Sequence, residues 1–130
     1  AAWMAQSQDK FEQAKRNEPI TVFGSGKQTR DFTSIEETIK ATVLLAEQSK
    51  GSEIFNVANE TELTILELAE FIIGITGSSS KVSLIASPQK RYDYEVERRV
   101  GSSDKLFSLT GFRPNTNVIE GLNKLFSTML

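Results

Sequence analysis

The apolar runs of this chain are short, and that limits its fold more than any other feature. Runs such as Ile20-Thr21-Val22-Phe23 and Phe71-Ile72-Ile73 are separated by glycine turns, proline and helix-capping residues. There are too few long apolar strands for a complete doubly wound parallel sheet. The pattern predicts a small mixed α/β fold of short strands and about four to five helices. A chain of 130 residues holds one domain with a real core, not a two-domain enzyme. No run approaches the ~20 apolar residues that a membrane-spanning helix needs. Ala1 to Ala5 is followed at once by polar residues, so no signal peptide is expected.

Local signals place the elements. Residues 6–17 are polar and helix-forming, with Phe11 and Ala14 as a narrow apolar stripe. Asn17-Glu18-Pro19 ends that helix, because a residue before proline avoids the helical region. Ile20–Phe23 reads as a strand, Gly24-Ser25-Gly26 as a turn, and residues 30–34 as a second short strand. Over Ile35–Gln48 the apolar residues Ile35, Ile39, Val43 and Leu44 share a helical face. Glu36 and Glu37 suit that helix's positive N-terminus, and Gly51 closes it. Residues 53–58 read as a strand. Thr64 and Glu67 form a capping box that starts the best helix, with Leu66, Ala69, Ile72 and Ile73 on its apolar side and Gly77 behind it. Val82–Ile85 is a strand, and residues 88–99 form a long charged loop. Residues 103–110 make a short helix, and Asn117 with Glu120 caps the last one, running to about Leu125.

Composition excludes several chemistries. The chain has no cysteine and no histidine. Disulfides, thiolate nucleophiles and cysteine zinc sites are therefore ruled out, and the commonest general base and metal ligand are absent. Lack of cysteine fits a cytoplasmic protein. With 15 basic and 17 acidic residues, no basic excess points to nucleic acid. No metal site is expected, and none of the carboxylates is marked out by apolar surroundings.

The tempting motifs each carry a plain alternative. Gly24-Ser25-Gly26-Lys27-Gln28-Thr29 follows a strand but lacks the third glycine and the following helix of a dinucleotide fingerprint. Nor is it a P-loop, since Gln28 follows Lys27. A β-turn accounts for it. Arg30 beside this turn is either a guanidinium fork for phosphate oxygens or a surface arginine paired with Asp31. Lys90, Arg91, Arg98 and Arg99 alternate with acids, which describes a solvated loop unless one arginine points into a cleft. Tyr92 and Tyr94 lack a lysine four residues on, and no Tyr-x-x-x-Lys occurs anywhere in the chain. No residue qualifies as catalytic.

Taken in order, the segments resemble the C-terminal region of the extended short-chain dehydrogenases, the NAD-dependent nucleotide-sugar epimerases and dehydratases. Glu18 to Phe32 is similar to that family's strand, glycine turn and Arg-Asp-Phe. Ile54-Phe55-Asn56-Val57, Thr64 to Leu68, Arg98-Arg99-Val100, Leu109 to Pro114 and Glu120-Gly121-Leu122 continue the match over about residues 10–127. Departures fall at Ile35-Glu36-Glu37, at Ser102, and at Thr33-Ser34. The resemblance implies that Arg30 and Arg99 contact the diphosphate of a nucleotide-sugar. It also implies that backbone groups of Val22, Phe23 and Gly24 line the base and ribose pocket. NAD and the catalytic tyrosine would belong to an N-terminal Rossmann half that residues 1–130 do not contain. In such a parent enzyme the tyrosine deprotonates a sugar hydroxyl while NAD takes a hydride. This chain would bind no cofactor alone and would supply binding energy and orientation.

Three readings follow: the substrate-holding part of an epimerase or dehydratase, a non-catalytic nucleotide-sugar-binding module, or a structural module with solvated arginines. In the first, the helix over Ile35–Gln48 and residues 53–58 would pack on the missing half. Without it, the chain is expected to self-associate to cover their apolar faces.

Overall fold

A computed structural model describes residues 2–86 and 97–130. In chain order the elements are α1 (Ala2–Lys15), β1 (Ile20–Phe23), β2 (Thr29–Asp31), α2 (Ile35–Gln48), β3 (Glu62–Thr64), α3 (Ile65–Thr76), β4 (Val82–Ile85), β5 (Arg98–Arg99), α4 (Asp104–Thr110) and α5 (Val118–Thr128). The class is the expected one, mixed α/β, with five helices and short strands among the described residues. None of the helices among the described residues is long and apolar enough to cross a membrane.

The core forms around α3, the most apolar helix. Its start is fixed by the predicted box: the Glu67 amide donates to the Thr64 hydroxyl at 3.1 Å, and the Thr64 amide donates to the Glu67 carboxylate at 2.8 Å. Gly77, at φ 62°, ends it in the left-handed conformation glycine allows. Leu68 and Ile72 of α3 are buried with Phe11 of α1, Ile20 and Val22 of β1, and Leu122 of α5. Phe11 stacks on Phe126 at 5.4 Å, which joins the first and last helices. Removing any one of these large side chains would cost about 2–5 kcal/mol.

Two small sheets flank this core. β1 pairs in parallel with β4, from Ile20↔Val82 to Phe23↔Ile85. β2 is the middle strand of the other sheet, antiparallel to β3 and parallel to β5. Ser34 caps α2 by accepting from the Glu37 amide at 3.2 Å. The Glu37 carboxylate in turn accepts from the Asn115 amide at 2.8 Å, tying α2 to the segment before α5.

One expected strand does not form. Residues 53–58 join no ladder, and both edges of β2 are occupied by β3 and β5. The segment is held by side chains instead. The buried Ser103 hydroxyl accepts from the Ala58 amide and donates to the Ala58 carbonyl, both at 2.8 Å. Asp31 accepts from the amides of Asn59 and Glu60 at 3.2 and 3.0 Å. Glu60 itself has φ 59°, a left-handed value unusual for a side-chain-bearing residue. Its carboxylate accepts from the Ser103 amide at 2.6 Å and from Arg113 at 2.7 Å. Boundaries elsewhere shift by two or three residues: the first helix ends at Lys15, β2 stops at Asp31, and α5 runs on to Thr128. Most of the charged loop predicted over 88–99, with Lys90, Arg91, Tyr92 and Tyr94, lies outside the described residues.

The apolar face of α2 is left open. Ile35, Ile39 and Val43 are 56%, 56% and 50% exposed, and Ile54 is 86% exposed. Ala41 is the buried residue of this helix.

Candidate functional site

The glycine turn delivers Arg30 to its position. After β1, Gly24 and Gly26 take φ values of 64° and 71° and reverse the chain. A Cβ on Gly26 would lie 2.9 Å from Val22 Cγ1 and 3.2 Å from Leu66 Cβ, so only glycine lets the turn press on β1 and α3. The Leu66 and Ile65 amides at the start of α3 donate to the carbonyls of Gly26 and Gln28 at 3.0 and 3.2 Å. The turn is therefore docked on a helix, not opening one, and offers no dinucleotide cradle.

Beyond the turn, β2 and β5 run parallel with Arg30 opposite Arg99 and Thr29 opposite Arg98. The two arginines of β5 have different surroundings. Arg98 donates twice to Glu62, at 2.6 and 2.8 Å, and Glu62 also accepts from the Thr29 hydroxyl at 2.9 Å. That fork, with the Thr29 hydroxyl and the nearby positive charge, holds the Glu62 carboxyl below the usual range and raises Arg98. Arg99 is exposed and enters no ion pair among the described residues. Arg30 donates to the Thr29 carbonyl at 2.7 Å. Asp31, its sequence neighbour, is engaged by the Asn59 and Glu60 amides and does not pair with it.

Two clefts meet at Arg30. The first, about 520 Å³, lies between α1 and β1 and includes Lys10, Gln13, Phe23, Gln28 and Arg30. The second, about 770 Å³, includes Arg30, Asn56, Val57, Arg99 and Gly101. Arg30 is the residue that lines both. Phe23 joins it in the first cleft, whereas Val22 points into the core at 0% exposure. The Gly24 amide is bound to the Ile85 carbonyl of β4 at 2.9 Å. The cleft-facing edge of β1 is capped by side chains. Gln13 accepts from the Thr21 amide at 3.1 Å and donates to its hydroxyl at 3.0 Å. Gln28 donates to the Phe23 carbonyl at 3.2 Å and Lys10 to the Thr21 carbonyl at 3.2 Å.

This order of strand, glycine turn and Arg-Asp-Phe lies inside a longer match: residues 8–125 fit the family described as GDP-mannose 4,6 dehydratase. The chain belongs to the GDP-mannose 4,6 dehydratase family. Among curated members and relatives, it is 32% identical over 114 residues to UDP-N-acetyl-alpha-D-glucosaminuronate decarboxylase of Bacillus cytotoxicus, covering 85% of this chain and 35% of that protein. It is 34% identical over 112 residues to UDP-glucuronic acid decarboxylase 1 of Danio rerio, covering 86% of this chain and 26% of that one. The chain thus spans about a third or less of the curated relatives it matches. UDP-glucose 4-epimerase of Thermotoga maritima, solved with UDP-glucose, shares the fold with a TM-score of 0.85 at 21% identity, over 95% of this chain and 38% of that one. UDP-glucuronic acid 4-epimerase of Bacillus cereus, solved with UDP-glucuronic acid and NAD, gives a TM-score of 0.82 at 25% identity, over 96% of this chain and 40% of that one.

Within this dehydratase-family fold, sequence reasoning passed over Lys10, Gln13 and Gln28. A signal was present for Lys10. It sits four residues before Ala14 and next to Phe11, so helical spacing places it on the buried side of α1.

Proposed function

We propose that this chain holds and orients a nucleotide-diphosphate sugar, as the C-terminal substrate-binding part of an NAD-dependent sugar epimerase or dehydratase. The carrying observation is that Arg30 lines both clefts while standing opposite Arg99. A diphosphate laid across Arg30 and Arg99 meets two guanidinium forks, which can neutralise it without a metal ion. Its base then enters the cleft of Phe23, and its sugar is directed toward the cleft of Arg99 and Asn56. Of Val22, Phe23 and Gly24, expected at the pocket, Phe23 carries the contact in this reading. Val22 and Gly24 shape the strand and the turn.

The residues present do not fit NAD. The 24–26 turn is docked on α3, and the chain contains neither a Gly-x-x-Gly-x-x-Gly fingerprint nor a Tyr-x-x-x-Lys. Nicotinamide chemistry and the catalytic residues therefore belong to a Rossmann half of a longer, cytoplasmic enzyme. The chain contributes binding and orientation and is not catalytic by itself. That half would cover Ile35, Ile39 and Val43; in its absence, copies of this chain associate through the same face.

The test is a thermal melt with millimolar UDP-, GDP-, dTDP- and CDP-sugars, with NAD as the control. A ligand that binds the folded state alone raises the midpoint by mass action. A shift with one nucleotide-sugar, lost in Arg30→Ala and absent with NAD, is the expected result. A cooperative melt that no nucleotide-sugar moves would overturn the proposal.

A further inference from the structure

The cleft of Phe23 contains a cation that the two arginines do not account for. Lys10 is 7% exposed, yet it forms part of the wall of that cleft. Its Nζ donates one hydrogen bond, to the Thr21 carbonyl at 3.2 Å, and an ammonium carries three donors. It enters no ion pair among the described residues. The nearest acid in sequence, Asp9, acts on it only through space. Burial lowers its pKa, and Asp9 opposes that shift in part. A buried cation with unused donors is destabilising until an acceptor arrives.

The two side-chain amides at this end of the cleft are already matched. Both ends of the Gln13 amide bond to Thr21, and the Gln28 amide bonds to the Phe23 carbonyl. Arg16 lines the same cleft but is exposed; Lys10 is the buried cation there with donors left over, in a cleft in which Arg99 has no part. Phe23 supplies an aromatic side chain to the same wall, and rings of that kind stack on nucleobases.

We infer that Lys10 reads the nucleobase, donating from Nζ to a ring carbonyl oxygen on the edge remote from the ribose. Uracil, thymine and guanine carry that oxygen. Cytosine and adenine carry an amino group there, and a donor-only lysine leaves that amino group unpaired. Lys10 is thus a specificity-determining residue, and the inference rests on the nucleotide-sugar reading of the cleft.

Titration calorimetry with matched pairs tests it: UDP-glucose against CDP-glucose, and GDP-mannose against ADP-mannose. The wild-type chain should prefer the carbonyl-bearing member of the pair it binds by at least tenfold. Lys10→Met should bring the two members within about twofold. Lys10→Gln keeps a donor for the Thr21 carbonyl, gains an acceptor for an amino group, and should move the preference toward the amino-bearing base. Arg30→Ala should weaken both members alike and leave their ratio unchanged. Equal binding of a pair by the wild type, or a preference that survives in both Lys10 variants, overturns this inference and leaves the nucleotide-sugar reading standing. If no nucleotide-sugar binds the wild type at all, that reading fails and the inference fails with it.

Discussion

Arg30 and Arg99 are register partners in the parallel β2–β5 ladder, so two like charges are held side by side by backbone pairing. Neighbouring like charges destabilise a sheet, and an anion between them would remove that repulsion. Arg30→Ala and Arg99→Ala should each weaken nucleotide-sugar binding by about 10- to 100-fold, the range of one charge-assisted contact. Arg99→Ala should melt no lower than the wild type without ligand. Calorimetry and ligand-free melts of the same samples check the two halves of this statement.

Arg98→Ala should behave in the opposite way. Its guanidinium is bonded to Glu62, so its loss should loosen the β2–β3–β5 sheet. Binding should change less than threefold. Comparing the affinities of Arg98→Ala and Arg99→Ala separates the two neighbours.

Acid should act through the depressed carboxylates. Arg98 holds Glu62 low, and Arg113 does the same for Asp104. Groups whose folded pKa lies below the unfolded value stabilise the fold above the unfolded value. That stability is lost as pH falls through the folded value. The melting midpoint should therefore fall on acidification below about pH 5, and Glu62→Gln should flatten that fall while lowering the midpoint at neutral pH. Lys10 gives a slope of the same sign in a more alkaline window: burial disfavours its charged form, so its lowered folded pKa makes stability rise with pH up to its unfolded value. Lys10→Met should raise the midpoint at neutral pH and lose that advantage toward pH 10. Melts across a pH series read both slopes.

Ser103→Ala should cost about 1–3 kcal/mol, because it leaves the Ala58 amide and carbonyl without their buried partner. Gly26→Ala should cost at least as much, since the added methyl meets Val22 and Leu66. Gly51→Ala is the matching control. It has a similar φ of 80° but open space around it, and should cost only about 1 kcal/mol. Urea denaturation ranks the three.

The open face of α2 gives the last prediction. Ile39→Glu combined with Val43→Glu should reduce self-association, read by sedimentation, without lowering the midpoint, since both side chains are exposed. A wild-type chain that sediments as a monomer at high concentration would remove the basis for it.

Helices were legible because their ends are written locally: Thr64 with Glu67, Gly77 and Asn117 all cap where the sequence placed them, whereas Ser34, read as the end of a strand, caps α2. The family was legible from Glu18 to Phe32 and from the segments that follow it in order. The pairing of Arg30 with Arg99 was not, because nothing local in either strand specifies a partner so distant along the chain. The same gap explains residues 53–58. Their composition suits a strand, but the backbone at Ala58 to Glu60 bonds to the Ser103 and Asp31 side chains instead of a neighbouring strand. Lys10 was missed because its charge suggested solvent, although its helical position pointed inward.

Position 60 has a consequence for how this chain can evolve. Glycine would relieve the left-handed backbone there, and local stability alone would favour it. Yet glycine would release Arg113 and the Ser103 amide together. Positions 60 and 113 should therefore be epistatic: Glu60→Gly should cost more in the presence of Arg113 than once Arg113 is replaced, the remaining cost being the Ser103 amide, with the interaction energy measurable in a double-mutant cycle.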